Sequence, residues 1–86
     1  MQVRNMTSSS GNPVANQFII RDNNREIFQS YNSTIAIKCM GKVQLDLNCW
    51  NYSPTTGKYR NMFLGETIRQ TRAKIDSGEY ILTDLN

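Results

Sequence analysis

The stretch from Trp50 to Lys74 most constrains what this chain can fold into, because it has helical spacing and lies between segments that have strand spacing. Residues three or four positions apart lie on one face of a helix, whereas alternate residues lie on one face of a strand. Leu64, Ile68, Thr71 and Ile75 fall on one side of a helix at about 100° per residue. The sequence therefore predicts a helical segment inserted between strands.

Five short segments rich in apolar and β-branched residues have strand character: residues 17–21, 26–31, 34–38, 42–47 and 79–85. The Asp-Asn-Asn sequence that begins at Asp22 favours a tight turn, because these residue types tolerate positive φ. Asn32-Ser33 predicts a second turn, and Gly41 predicts a third. These patterns predict two β-hairpins in series, joined later by a C-terminal strand.

The most regular alternation runs through residues 42–47. Val43, Leu45 and Leu47 are expected to face the core, since alternate residues of a strand share one face. The intervening residues, expected to face water, are Lys42, Gln44 and Asp46. One face of the sheet is therefore predicted to be exposed to solvent, and the other is predicted to pack against another element of the chain.

The helical stretch has start and stop signals at its ends. Ser53 followed by Pro54 predicts a helix start, because Ser accepts hydrogen bonds from the first amides and Pro fits the first turn. Gly65 separates two helical segments, Glu66 suits the positive end of the second, and Gly78 predicts its left-handed end. We expect an α+β fold, with an antiparallel sheet of four to five strands and a helix or helix pair on one face.

A chain of 86 residues with 38% hydrophobic and 20% charged residues fits one small folded domain. Residues 1–15 are polar and have no period, so they are predicted to form a flexible tail, and residues 16–86 the single domain. No apolar run approaches the length of a membrane span, and the first residues have no apolar signal region. We therefore expect a cytoplasmic protein.

The residue types argue against an enzyme. The chain has no His, so the commonest general base is missing, and its seven acidic residues are dispersed. Cys39 and Cys49 are expected to be reduced thiols, and two Cys without His do not make a zinc site. Gly57-Lys58 lacks the remainder of a phosphate-binding loop. No catalytic residue, metal or cofactor is expected.

The positive charge is concentrated in the helical stretch. Residues 58–74 have a net charge of +4, whereas the whole chain has +3. An anionic partner would be drawn to this stretch. The candidate partner- or nucleic-acid-binding residues are Trp50, Tyr52, Lys58, Tyr59, Arg60, Arg69, Arg72 and Lys74.

Three interpretations of these residues remain open. They form a solvated rim whose Arg and Lys stems cover the sheet, or they contact nucleic acid, with Tyr52 and Tyr59 stacking on bases. In the third interpretation they contact an acidic protein surface. Trp50 is either part of the core or an exposed anchor for a partner.

Several motifs occur in a fixed order along the chain: residues 16–20 (NQFII), 28–33 (FQSYNS), 42–46 (KVxLD), 50–64 (WxYSxTTxKYRNxFL) and 77–86 (SGEYxLTDLN). In this order they resemble a family of small uncharacterised proteins carried by bacteriophages and mobile elements. The resemblance covers about residues 11–86. It implies no assigned activity, but short phage-encoded proteins often bind and block a host machine, including CRISPR and restriction systems. Pro54, Cys39 and Cys49 do not match the pattern.

The resemblance and the residues together give three functional hypotheses. The first is a non-enzymatic, phage-type inhibitor that acts in the host cytoplasm by occluding a defence or nucleoprotein complex. The second is a nucleic-acid-binding module that uses the basic and aromatic helical surface. The third is a structural component that forms homo-oligomers through an exposed sheet edge.

Overall fold

The computed structural model describes residues 1–86, which form six strands and two helices. Their bounds are β1 Gln2–Thr7, β2 Pro13–Asp22, β3 Arg25–Ser30, β4 Ser33–Cys39, β5 Lys42–Asp46, α1 Pro54–Leu64, α2 Ile68–Asp76 and β6 Tyr80–Thr83.

The strands form one sheet in the order β1-β2-β3-β4-β5-β6. The first five strands are antiparallel to their neighbours, and β6 is parallel to β5. Parallel neighbours need a long crossover connection, which α1 and α2 provide on one face of the sheet. The predicted α+β fold with a helix pair on one face is confirmed, although the sheet has six strands instead of four or five and its last pair, β5 and β6, is parallel instead of antiparallel.

The predicted flexible tail over residues 1–15 is wrong, because most of this segment belongs to the first hairpin. Val3 pairs with Ile20, and the Ser8–Asn12 segment turns the chain, with the Ser8 amide donating to the Asn12 carbonyl at 2.8 Å. The pattern is hidden because β1 is an edge strand held mainly by backbone hydrogen bonds. Only Met6 is buried, so no apolar alternation marks the strand.

The core lies between the sheet and the helices. Phe28 of β3 and Phe63 of α1 stack with their ring centroids 5.8 Å apart. The other buried apolar residues are Met6, Ile35, Ala36, Leu45, Tyr59 and Tyr80. Burial of these side chains supplies the main driving force for helix docking.

The predicted alternation over residues 42–47 is correct at Leu45 and wrong at its end. Asp46 is buried, and Leu47 is 54% exposed. The Asp46 carboxylate accepts hydrogen bonds from the backbone amides of Asn48, Cys49 and Leu85 at 3.1, 2.8 and 2.8 Å. These bonds turn the chain away from the sheet immediately after Asp46, so Leu47 no longer follows the strand period.

The predicted helix signals are found where the sequence indicates. Ser53 caps α1 by accepting from the Thr56 amide, and Gly65 ends it with φ at 69°. Thr67 and Gln70 cap α2 reciprocally, and Gly78 follows its C-terminus with φ at 83°. These caps fix the two helices as separate segments over the sheet.

Candidate functional site

Arg60 lies inside the fold, with 1% of its surface exposed. Its guanidinium donates to the Trp50 carbonyl oxygen at 2.8 Å and to the Oδ1 atoms of Asn51 and Asn61, both at 2.9 Å. The three acceptors are neutral, and Arg60 forms no ion pair. The site therefore keeps a buried positive charge without a direct ion pair, and the charge of Glu66 acts on it only as a weaker attraction.

Two guanidinium groups lie over the half-buried ring of Trp50. The Cζ atoms of Arg60 and Arg72 lie 5.3 and 5.4 Å, respectively, from the centroid of this ring. Burial lowers the pKa of Arg60 below its usual value, and the positive charge of Arg72 lowers it further. Arg60 remains charged at neutral pH because an ordinary guanidinium pKa is very high. We call Trp50, Arg60 and Arg72 the Trp50 cluster.

Arg72 is the exposed member of this cluster, and Arg69 is exposed on the same helix. Residues three apart on a helix are neighbours, so both guanidiniums lie on the same side of α2. Neither forms an ion pair. The two side chains therefore present adjacent unpaired positive charges to solvent, and one of them, Arg72, lies over the ring of Trp50.

The other predicted basic residues lie away from the cluster. Lys58 is two residues from Arg60 on α1, hence on a different side of the helix, and its Nζ lies 5.5 Å from the Tyr59 ring. Lys74 is likewise two residues from Arg72, and its Nζ pairs with Glu66 at 2.7 Å. The structure thus does not bring the predicted basic residues into one patch.

Lys74 belongs to a network that ties α2 to β6. The Glu66 carboxylate accepts from Lys74 at 2.7 Å, from the Thr71 hydroxyl at 2.6 Å and from the Tyr80 hydroxyl at 2.8 Å. Burial acts to raise the pKa of Glu66, but these hydrogen bonds outweigh it and hold the pKa below its usual value. Lys74 therefore has a structural partner within the chain.

The predicted aromatic residues differ in exposure. Tyr52 is 48% exposed, Trp50 is half-buried against the core, and Tyr59 is 5% exposed. Tyr59 and Arg60 thus belong to the interior and are removed from the predicted contact surface. Helical spacing alone did not separate the buried side of α1 from its exposed side, because polar and apolar residues are mixed around this helix.

Asn51 and Asn61 are site residues that the sequence reading missed. Their side-chain oxygens hold the guanidinium of Arg60, although Asn51 lies in the loop before α1 and Asn61 within the helix. A polar residue gives no periodic signal of such a role. The sequence pattern indicated only Arg60, the basic residue that the two Asn side chains orient, as a candidate.

The largest concavity lies on the opposite face of the sheet. It is a groove lined by nine residues of β4, β5 and β6 and their connections, among them Ile37, Cys39, Gln44 and Ile81. No group of three or more His, Cys, Asp or Glu side chains is arranged to hold a metal ion. Neither helix has the length and apolar character that a membrane span requires.

The fold and the Trp50 cluster define a small α+β protein with an exposed pair of cations beside a half-buried Trp. Residues 1–81 match the model of the family described as "Family of unknown function (DUF8033)", and the chain belongs to this family. No curated protein and no solved structure matches the chain. The expected membership of an uncharacterised family is confirmed, and the link to phages stays a prediction.

Proposed function

We propose that this chain is a non-enzymatic binding protein that recognises an acidic surface on another protein. The observation that carries this proposal is the position of Arg72, whose guanidinium lies over the Trp50 ring and pairs with no carboxylate. A guanidinium held against a ring has already lost part of its side-chain freedom. It therefore costs less entropy to bind a carboxylate bidentately.

Trp50 and its neighbours also have the composition of a binding hot spot. Trp, Tyr and Arg dominate such sites, and here Trp50, Tyr52, Arg69 and Arg72 occur near one another in the sequence or on one helix side. The charge of buried Arg60 adds to the local positive potential without contacting the partner. The proposed contact residues are thus Arg69 and Arg72, with Trp50 at the centre.

A nucleic-acid partner is the second candidate, supported by the unpaired cations Lys58, Arg69 and Arg72. The burial of Tyr59 weakens it, since a buried ring does not stack on a base. Two guanidiniums already lie over Trp50, which leaves Tyr52 as the exposed aromatic residue among the candidates. For this reason the acidic protein surface is preferred.

The resemblance to small phage and mobile-element proteins suggests the biological setting of this binding. The protein would act in the host cytoplasm by occluding a defence complex or another nucleoprotein complex. A small binding protein seated on a docking surface of such a complex would block access to that surface.

The test compares two double variants that change the net charge equally. Arg69→Glu/Arg72→Glu reverses the proposed contacts, whereas Arg4→Glu/Lys42→Glu reverses two other exposed cations without ion pairs. In affinity capture from host lysate, we expect the wild type and the second variant to retain one stoichiometric protein and the first variant to lose it. Equal loss in both variants, or no captured protein, would contradict the proposal.

Fluorescence anisotropy with labelled single- and double-stranded DNA and RNA separates the two candidates. We expect any binding at low salt to vanish at physiological salt, because it would rest on phosphate contacts alone. Binding that survives physiological salt and weakens in Arg69→Glu/Arg72→Glu would instead establish the nucleic-acid candidate.

A further inference from the structure

The face of the sheet opposite the helices carries an apolar row across all six strands. Cross-strand partners lie on the same face, so the pairings Val3↔Ile20, Ile20↔Ile27 and Ile27↔Ile37 form one line, which continues to Gln44 and Ile81. The residues of this open-face row are Val3, Ile20, Ile27, Ile37, Gln44 and Ile81.

No element of the chain packs over this row. Val3 and Ile81, at its two ends, are 57% and 53% exposed, and the residues between them, apart from exposed Gln44, are only half-buried by their neighbours in the sheet. Five aliphatic side chains in one uncovered line are unusual on the solvent face of a sheet, because polar residues normally occupy that face.

The open-face row is free of charge, and charged residues border it on one side. The adjacent row on one side consists of Asn5, Phe18, Gln29 and Thr34. On the other side lie Asp22, Arg25 and Lys42, with Glu79 lining the same groove as Lys42. The uncharged area thus covers two rows, including Phe18, and charged residues line one side of it. Protein interfaces likewise have a core depleted of charge and a polar rim.

We propose that a second copy of this chain covers the open face, so that two sheets pack face to face about a two-fold axis. The same row then lies on both sides of the interface, and aliphatic side chains meet aliphatic side chains. Sheets pack in this way at a distance of about 10 Å in β-sandwiches.

The size of the face fits this occupant. Six strands at about 4.8 Å spacing, with a mean length of about 20 Å, give a face of about 30 by 20 Å when their side chains are included. A standard interface buries about 800 Å² of accessible surface on each partner. The row runs from one edge of the sheet to the other, so a second copy would use the whole face, which is close to the required size.

The charges also select this face for self-association. The rim residues Asp22, Arg25, Lys42 and Glu79 carry two charges of each sign, and Asp22 and Arg25 pair at 3.2 Å. A second copy therefore meets no excess of like charge there. In contrast, two copies approaching through α2 would place the unpaired Arg69 and Arg72 of one copy against the same two residues of the other, and these like charges repel.

Sedimentation equilibrium of the full chain tests the proposal over about 1 μM to about 1 mM, where interfaces of this size associate. We expect the wild-type mass to rise toward twice the monomer mass of 9.9 kDa. Ile81→Lys places a charge in the interface and should weaken dimerisation by at least about tenfold. Leu47→Lys is the matched control, since Leu47 is equally exposed but lies off the sheet face.

Each other outcome overturns the proposal. A wild-type chain that stays monomeric at the highest concentration leaves the face without a second copy. Dimerisation that Ile81→Lys and Leu47→Lys weaken equally is not specific to the face. A dimer that Ile81→Lys leaves intact would point to pairing through β1, at the opposite edge of the sheet from Ile81. Circular dichroism of both variants verifies that each keeps the fold.

Discussion

The guanidinium of Arg60 donates a 2.8 Å hydrogen bond to the carbonyl oxygen of Trp50, ten residues earlier in the chain. This bond joins α1 to the loop that leaves β5, and it anchors the backbone of Trp50, whose ring lies beside Arg72. A buried Arg thereby acts on the proposed contact surface through the residue that it holds. Its Nε atom has no partner in the chain, so the other guanidinium nitrogens carry the whole attachment.

Replacing Arg60 should destabilise the fold. Arg60→Ala removes three hydrogen bonds from a buried charged donor and leaves a void beneath Trp50, so we expect the free energy of unfolding to fall by about 2–4 kcal/mol. Urea denaturation followed by circular dichroism measures it. Arg69→Ala on exposed α2 is the control and should change the free energy by about 0.5 kcal/mol or less. Equal stability of the two variants would contradict the structural role of Arg60.

Asp46 should make the fold sensitive to acid. Burial acts to raise the pKa of Asp46, but hydrogen bonds from the amides of Leu85 and Cys49 outweigh it and lower the pKa below its usual value. The folded state therefore favours the carboxylate. This contribution is fully present above the unfolded pKa of about 3.9 and is lost as pH falls through the lower, folded pKa.

Denaturation series from about pH 7 to about pH 3 compare the wild type with Asp46→Asn. The variant should be less stable by about 1–3 kcal/mol at neutral pH, because an amide nitrogen would face a backbone donor. It should also lose less stability on acidification. An unchanged acid dependence would show that other carboxylates, such as Glu66, account for the loss.

Glu66 should control the ionisation of Tyr80. Burial raises the pKa of Tyr80, and the hydrogen bond from its hydroxyl to the Glu66 carboxylate raises it further. Glu66→Gln removes the negative charge, so the pKa of Tyr80 should move down toward its ordinary value while the effect of burial remains. Ultraviolet titration of tyrosinate measures the shift, and Tyr80→Phe identifies its signal among the four Tyr residues. Identical titration curves for wild type and Glu66→Gln would contradict the contact.

The two glycines of the α1 region should respond to alanine in opposite ways. Gly65 has φ at 69°, so Gly65→Ala should cost about 1 kcal/mol from backbone strain, although nothing lies within 4 Å of the added Cβ. Gly57 lies within α1, and a Cβ there would make ordinary contacts at 3.6 Å with Arg60 and Asn51. Gly57→Ala should therefore be neutral or stabilising by up to about 1 kcal/mol. Thermal denaturation of both variants measures whether each substitution raises or lowers the stability.

The sequence predicts the parts of the fold that depend on local backbone preferences, namely the helix ends and the two central hairpins. Ser53, Pro54 and Gly65 mark helix ends through their own backbone preferences, and no distant contact is needed to interpret them. The two central hairpins were predictable for the same reason. The predicted α+β arrangement then followed from the need to cover an apolar sheet face.

The remainder depends on contacts between distant residues. β1 is held by its pairing with β2, and its polar sequence contains no period that would reveal it. Asp46 is buried because amides two, three and 39 residues away converge on its carboxylate. In the candidate site, too, local features were predictable and features set by distant contacts were not. Arg72 was identified as a basic residue, but the burial of Arg60 was not predictable from charge or spacing.

The position of Trp50 has a practical consequence, because it is the single Trp of the chain. Its indole emission reports on one location only, beside two guanidiniums and at the centre of the proposed contact surface. A ligand that draws Arg72 away from the ring would change the intensity or wavelength of this emission. The unlabelled protein thus contains its own optical probe of that surface, and a titration needs no attached dye.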